Sequence, residues 1–230
     1  MTNSEASRSD EPPPELAAAV ADACSRQGLA VPPEAVSRMA AYAGRLWVWN
    51  ERLNLTRHTD VDRFVARDVA DAIALVPHLA HGERVLDVGT GGGVPGVLLA
   101  ILRPDLRVEL SESVGKRGRA VAAILAEIGL PLPIHEGPAQ ELVARRPFGP
   151  RRFDTLVVRA VAPLAKLLAW FEPLADSFGR MLVIKGPRWE EELEEARRLN
   201  RGRLVSIRRI ASWPLAGADG LSVLLEIRAA

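Results

Sequence analysis

Between Val85 and Gly96 the chain reads VLDVGTGGGVPG, and no other stretch constrains the fold as much. A short apolar run of buried-strand character enters a loop with five glycines in eight positions, and an apolar helical pattern follows. With 18 glycines among 230 residues, eight random positions would hold fewer than one. Glycine weakens regular elements, and it gathers where the backbone must take positive φ or approach a ligand closely. Pro95 suits the first turn of the following helix, where a missing N–H costs little. Strand, glycine turn and helix together predict the first unit of an open parallel sheet.

The rest of the chain agrees. From residue 84 onward strand patterns fall at 84–88, 107–111, 133–136, 154–158, 180–185, 203–210 and 222–228. Helical patterns at 95–103, 115–128, 138–145 and 162–176 separate the first five. That alternation predicts a mostly parallel α/β sheet with right-handed crossovers. The last two strands flank the turn-rich stretch 211–221 and predict a hairpin. The expected domain, residues 81–230, is thus a Rossmann-like, seven-stranded sheet with its last strand antiparallel.

Residues 15–80 read as an N-terminal helical extension. A first helix is expected over 15–27. A second follows Pro32-Pro33 and sets Val36, Met39, Ala43, Leu46, Asn50 and Leu53 on one face. A third begins near Thr59-Asp60, where Thr59 and Asp62 have capping-box spacing, and runs to Pro77. Trp47 and Trp49 fall off the stripe and are expected to pack under neighbouring segments. Residues 1–14, polar and ending in Pro12-Pro13-Pro14, read as a disordered tail.

Composition removes several function classes. The single cysteine, Cys24, excludes an intrachain disulfide framework and a multi-cysteine zinc site. No apolar run approaches the roughly 20 residues that span a bilayer, and no basic region followed by an apolar core opens the chain. A cytoplasmic, monomeric enzyme without membrane contact is expected. The net charge of +1 neither demands nor forbids a nucleic-acid partner. Only three of the 30 basic residues are lysines, so Lys116 and Lys185, both beside the motifs below, stand out.

In an open parallel sheet ligands bind beyond the carboxyl ends of the strands, where the glycine loop lies. Gly91-x-Gly93-x-x-Gly96 formally matches a dinucleotide fingerprint, but Asp87 and Gly89 already occupy the place of its first glycine. A carboxylate beside a pyrophosphate is repulsive, whereas it suits a cofactor carrying an ammonium group. Glu112 ends the second strand 19 residues beyond Gly93, where a carboxylate can accept hydrogen bonds from ribose hydroxyls. These features select S-adenosylmethionine. After the third strand, Gly137-Pro138-Ala139-Gln140 occupies the place where backbone and a small polar side chain read adenine. No metal site is expected, and His58, His78, His81 and His135, scattered at loops and element ends, read as structural.

The segments VLDVGTGGGVPGVLLAILRPDL, ESVGKRGRA, FDTLVVRAVAPL and LVIKG occur in the order and spacing of the RsmG (GidB) family. Asn54-Leu55-Thr56 and the helix over 60–76 resemble its N-terminal region, so the resemblance covers roughly residues 35–228. It implies a class I S-adenosylmethionine-dependent methyltransferase fold and methylation of N7 of a guanine in 16S rRNA of the small ribosomal subunit. The cofactor set it implies, with the positional candidates, is Asp87, Gly89, Thr90, Gly91, Gly93, Pro95, Glu112, Ala139, Gln140 and Arg159. Lys116, Arg117, Arg159 and Lys185 would contact the RNA, with Arg159 and Lys185 in the catalytic role. The chain departs from the family pattern at Asp68 and Ala72, where the family has histidine and serine, and at Pro138 and Val161. Another RNA, a protein or a small molecule are the alternative acceptors.

The N7 lone pair of guanine carries no proton at neutral pH, so direct displacement at a sulfonium methyl needs no general base. Catalysis then reduces largely to alignment. Arginine commonly grips guanine through O6 and N7 together. Arg159 cannot do so without blocking the nucleophile, and is expected to hold O6 or a phosphate.

Overall fold

A computed structural model of the chain describes residues 12–145, 153–215 and 219–230. Residues 1–11 of the expected tail, Arg146, Arg151 and Arg152 of a basic cluster, and 216–218 of the expected hairpin turn lie outside the described residues.

The described strands form one seven-stranded sheet in the order β3-β2-β1-β4-β5-β7-β6. These are β1 (Arg84–Val88), β2 (Arg107–Glu112), β3 (Ile134–Glu136), β4 (Phe153–Arg159), β5 (Phe178–Lys185), β6 (Val205–Pro214) and β7 (Leu221–Ala229). The first five pair in parallel, and β7 enters antiparallel between β5 and β6. The chain builds outward through β2 and β3, then returns to place β4 on the other side of β1. That reversal opens a crevice beyond the carboxyl ends of β1 and β4.

Both faces of the sheet are covered, which is why its strands read as near-continuous apolar runs. Along β1, Val85 packs on one side, and Leu86 and Val88 on the other. Helices α7 (Ala139–Ala144), α8 (Leu164–Phe171) and α9 (Trp189–Arg198) supply apolar residues to the second face. The first face is covered by α5 (Gly96–Leu102), α6 (Gly115–Glu127) and the N-terminal helices α1 (Pro14–Arg26) and α2 (Pro33–Leu53). Val36, Met39, Ala43 and Leu46 of the α2 stripe are all buried there. The extension therefore shares a hydrophobic core with the sheet and has no separate one.

Three local expectations change. The third helix is capped by Asp60, whose carboxylate accepts from the Arg63 N–H at 2.8 Å, and not by Thr59. From that cap the chain makes α3 (Val61–Arg63), a wide π turn over Phe64–Val69, α4 (Ala70–Leu75) and a 3-10 turn to His78. Helix α5 starts at Gly96, with Pro95 just outside it as the capping residue. Helix α9 was not among the expected elements. Trp47 and Trp49 pack as expected: their ring N–H groups donate to the His58 carbonyl and to Glu127.

Candidate active site

Strand register brings the sequence candidates to one edge. Val88 pairs with Ser111 and with Val158, and Arg159 pairs with Ile184, so Gly89, Glu112, Arg159 and Lys185 stand at adjacent strand ends. They line a cleft of about 950 Å³ at the crevice. Gly89, Thr90, Gly91 and Gly92 form one wall. Segment 54–58, Arg67, Asp68 and Asp71, from the N-terminal extension, form another.

The glycine loop is tied down at several points. Gly89 and Gly91 take φ of +63° and +61°. A Cβ on Gly89 would stand 2.9 Å from a Val161 methyl, so that glycine is needed by the protein itself. A Cβ on Gly91 would meet nothing nearer than the Gly89 carbonyl at 4.0 Å, and would project into the cleft. The Gly91 N–H donates to Glu112 Oε2 at 2.9 Å, and the Val114 N–H donates to Glu112 Oε1 at 2.8 Å. Glu112 thus fastens the loops after β1 and β2 while its carboxylate borders the cleft. On the far side, buried Tyr42 of α2 donates its hydroxyl to the Gly92 carbonyl at 2.7 Å.

Asp87 is placed differently from the expectation. It is 1% exposed and lies behind the loop rather than among the cleft-lining residues. Its Oδ2 accepts from the Thr90 hydroxyl at 2.6 Å and the Gly96 N–H at 2.8 Å, stapling the loop to the start of α5. Its Oδ1 is buried without a hydrogen-bond partner. Burial pushes its pKa up to about 6, against the lowering effect of those two bonds. Gly93 and Pro95 likewise face scaffold, and Lys116, Ala139 and Gln140 do not line the cleft.

Arg159 and Lys185 line it, but neither is a free charge. The Arg159 Nη2 donates to Asp68 Oδ1 at 2.6 Å, and its Nε stands 3.4 Å from Asp71 Oδ2. Burial works against the charged form of Arg159, yet Asp68 and Asp71 outweigh it and raise its pKa. Burial raises the Asp71 carboxyl in turn, with Arg159 opposing. Asp71 also accepts from the Trp213 ring N–H at 3.0 Å, and Asp68 meets His58 Nδ1 at 2.8 Å. Lys185 Nζ donates to the Ala162 carbonyl and to Glu192 Oε2, each at 2.7 Å. Glu192 accepts the Leu164 N–H as well, joining α8, α9 and the end of β5.

Sequence reasoning missed His58, Asp71, Glu192 and Trp213 as site groups, and noted Asp68 only as a departure. An acid buried on a helix's sheet-facing side was the one available signal for Asp68 and Asp71. The partners lie 91 and 142 residues away in the chain, which no local pattern reveals.

The glycine cradle fits an adenosine cofactor. An open space where a Gly91 side chain would stand, together with a carboxylate at its border, matches a ligand with ribose hydroxyls.

Comparison with known proteins bears on the same cleft. Residues 35–209 match the GidB family, described as rRNA small subunit methyltransferase G. A relative from Rhodopirellula baltica, ribosomal RNA small subunit methyltransferase G, is 44% identical over 174 residues, covering 76% of this chain and 73% of its own. The protein of that name from Serratia proteamaculans is 38% identical over 169 residues, covering 73% and 80%. Among solved structures, an O-methyltransferase from Bacillus cereus in complex with SAH overlays with a TM-score of 0.53 at 15% identity, covering 83% of this chain and 91% of that one. MtNAS in complex with MTA and tNA gives 0.54 at 13% identity, covering 86% and 75%. These two likenesses concern the fold, a class I methyltransferase sheet. By the extent of the family match and the identity of its relatives, the chain belongs to the GidB family of rRNA small subunit methyltransferases G.

Proposed function

We propose that this chain transfers a methyl group from S-adenosylmethionine to N7 of a guanine in 16S rRNA of the small ribosomal subunit, as a cytoplasmic enzyme. One observation carries the reading: a glycine cradle bordered by Glu112 opens into the same cleft as five arginine and lysine side chains. When bound, the cofactor supplies an electrophilic methyl on a sulfonium. Backbone at Gly89, Thr90 and Gly91 would border it, and Glu112 would accept from its ribose. Each Glu112 oxygen holds one backbone N–H and keeps a second lone pair for that purpose. Asp87 would act through the loop it staples.

The acceptor needs no base, because N7 carries no proton at neutral pH. The protein's task is to hold the base in line and keep it there. Arg159 and Lys185 suit this task because their own partners fix them: carboxylates on one, a carbonyl and a carboxylate on the other. Pre-oriented donors lose little on meeting the acceptor's polar edge. The floor of the cleft carries Asp68, Asp71 and Glu112, a negative surround that suits a cationic methyl donor. The target nucleotide must be unpaired or splayed out to reach it.

The test is transfer of tritiated methyl to undermodified small subunits, naked 16S rRNA and bulk protein, followed by nucleoside analysis. Label in N7-methylguanosine is the expected result. Label confined to protein refutes the proposal.

A further inference from the structure

The cleft's cations divide into two kinds. Arg159 and Lys185 are matched by carboxylates within 2.7 Å. Arg57, Arg67 and Arg117 line the same cleft, and among the described residues none of them has an ion pair or hydrogen-bonding carboxylate. Arg67 Nε and Arg117 Nε are, in addition, buried with no hydrogen-bond partner; Arg159 Nη1 is orphaned as well, but its guanidinium already has Asp68 and Asp71 beside it. A buried guanidinium N–H left unsatisfied costs free energy. Of the three orphaned at this cleft, only those of Arg67 and Arg117 belong to side chains with no ion-pair partner among the described residues, the place for an outside anion.

The three arrive from separate elements. Arg57 lies in the loop after α2, Arg67 in the π turn, and Arg117 in the first turn of α6. Two of the three therefore come from the N-terminal extension. The floor formed by Asp68, Asp71 and Glu112 repels phosphate, so an RNA backbone is best met by cations that no carboxylate holds in an ion pair; Arg67 feels the Asp71 charge but makes no such pair. Guanidinium groups match phosphate oxygens in a two-pronged geometry that a point charge does not.

We infer that Arg57, Arg67 and Arg117 are the phosphate-binding set of the cleft, gripping the RNA strand on either side of the target nucleotide, while Arg159 and Lys185 carry no phosphate. This rests on the RNA-methylating reading above. It corrects the expected RNA contacts: Lys116, exposed and away from the cleft lining, and the paired Arg159 and Lys185 leave the phosphate role to Arg117 and two arginines not singled out in the sequence.

The test uses the full chain and undermodified 16S rRNA, with binding read by filter retention over a salt series and cofactor binding read by calorimetry. Each phosphate contact contributes about 0.7 to the slope of log affinity on log salt for single strands and about 0.9 for duplex. Arg57→Gln, Arg67→Gln and Arg117→Gln should each flatten the slope by that amount. Over a fourfold rise in salt each variant then loses about threefold less affinity than the parent. Lysine at the same positions should restore the slope, and Arg198→Gln, exposed on α9, should leave it alone. Unfolding midpoints within a few degrees of the parent's show that the variants are folded, and the exposed Arg57 still decides the matter if the half-buried pair does not fold. Unchanged slopes overturn the inference. So does a loss of cofactor affinity at constant slope, which would assign the arginines to the cofactor carboxylate. Because binding is read without turnover, a parent that binds RNA but transfers no methyl to it refutes the proposed reaction and leaves the slopes to judge the arginines.

Discussion

Gly91→Ala separates what the glycine loop needs to fold from what it needs to bind. At φ +61° an L residue pays about 1–2 kcal/mol for left-handed backbone. No overlap adds to this, because the new methyl would meet nothing closer than the Gly89 carbonyl at 4.0 Å. For a chain of this length about 1 kcal/mol lowers the unfolding midpoint by roughly 2–4 °C. Gly28→Ala, at φ +65° with open space around it and far in sequence from the loop, should cost the same. Gly89→Ala should cost more, since its methyl would stand 2.9 Å from Val161 Cγ2. Binding divides the first two. The Gly91 methyl would project into the cradle, and an extra methyl in a filled site costs roughly 1–3 kcal/mol, or about 5- to 150-fold in Kd. Scanning fluorimetry gives the midpoints, and calorimetry with S-adenosylhomocysteine gives the affinities. The expected pattern is equal small midpoint losses for Gly28→Ala and Gly91→Ala, with at least about fivefold weaker binding, about 1 kcal/mol, only in the second. A folded Gly91→Ala protein that binds like the parent refutes the cradle.

Two further outcomes follow from groups behind the loop. Asp87 has a folded-state pKa of about 6, above the ordinary carboxylate value, because of its burial. A raised folded value gives stability that is present below the unfolded pKa and is lost as pH rises through about 6. Asp87→Asn keeps an oxygen for Thr90 and Gly96 but has no such proton to lose, so urea melts from about pH 4 to 7 should show a flatter decline than in the parent; parallel declines would exclude Asp87 as their source. Tyr42→Phe removes the donor to the buried Gly92 carbonyl and should cost about 1–3 kcal/mol in the same melts while weakening cofactor binding, whereas unchanged binding would show that the tether does not shape the cradle.

How much was legible depended on how local each signal was. Strand ends at Val88, Glu112, Arg159 and Lys185 could be read because each closes an apolar run, and parallel alternation then put them at one edge. Helix α9 escaped because its apolar side is narrow. Only Trp189, Leu193 and Ala196 face the core in a stretch dominated by glutamates. Which glutamate reaches Lys185 is a matter of helix phase, so Glu192 could not be told from its neighbours. Asp87 was read from its place at a strand end, but whether a carboxylate there faces ligand or loop depends on Gly96. A Cβ at Gly96 would strike Asp87 at 2.8 Å, so the helix start lies against that side chain and claims its oxygen. Arg159 was found by position, and its burial against Asp68 and Asp71 was not, since that contact exists only once the extension has docked.

That docking changes what residue 80 means as a boundary. Counted along the sequence, the sheet and its cofactor loop begin after it. Counted by contacts, the loop's Gly92 carbonyl is held by Tyr42, the arginine ending β4 is held by Asp68 and Asp71, and Asp71 is held in turn by Trp213 of β6. Without residues before 80, Arg159 would lose both counter-charges together with the segment that packs against it. The apolar face under α2 would also be bare, since Met39, Ala43 and Leu46 fill the same core as Val85 and Val97. The extension is therefore one wall of the cleft and part of the sheet's core. A methyl donor held at the loops of the sheet and an acceptor strand gripped largely by the extension can meet only because the two fold as one body.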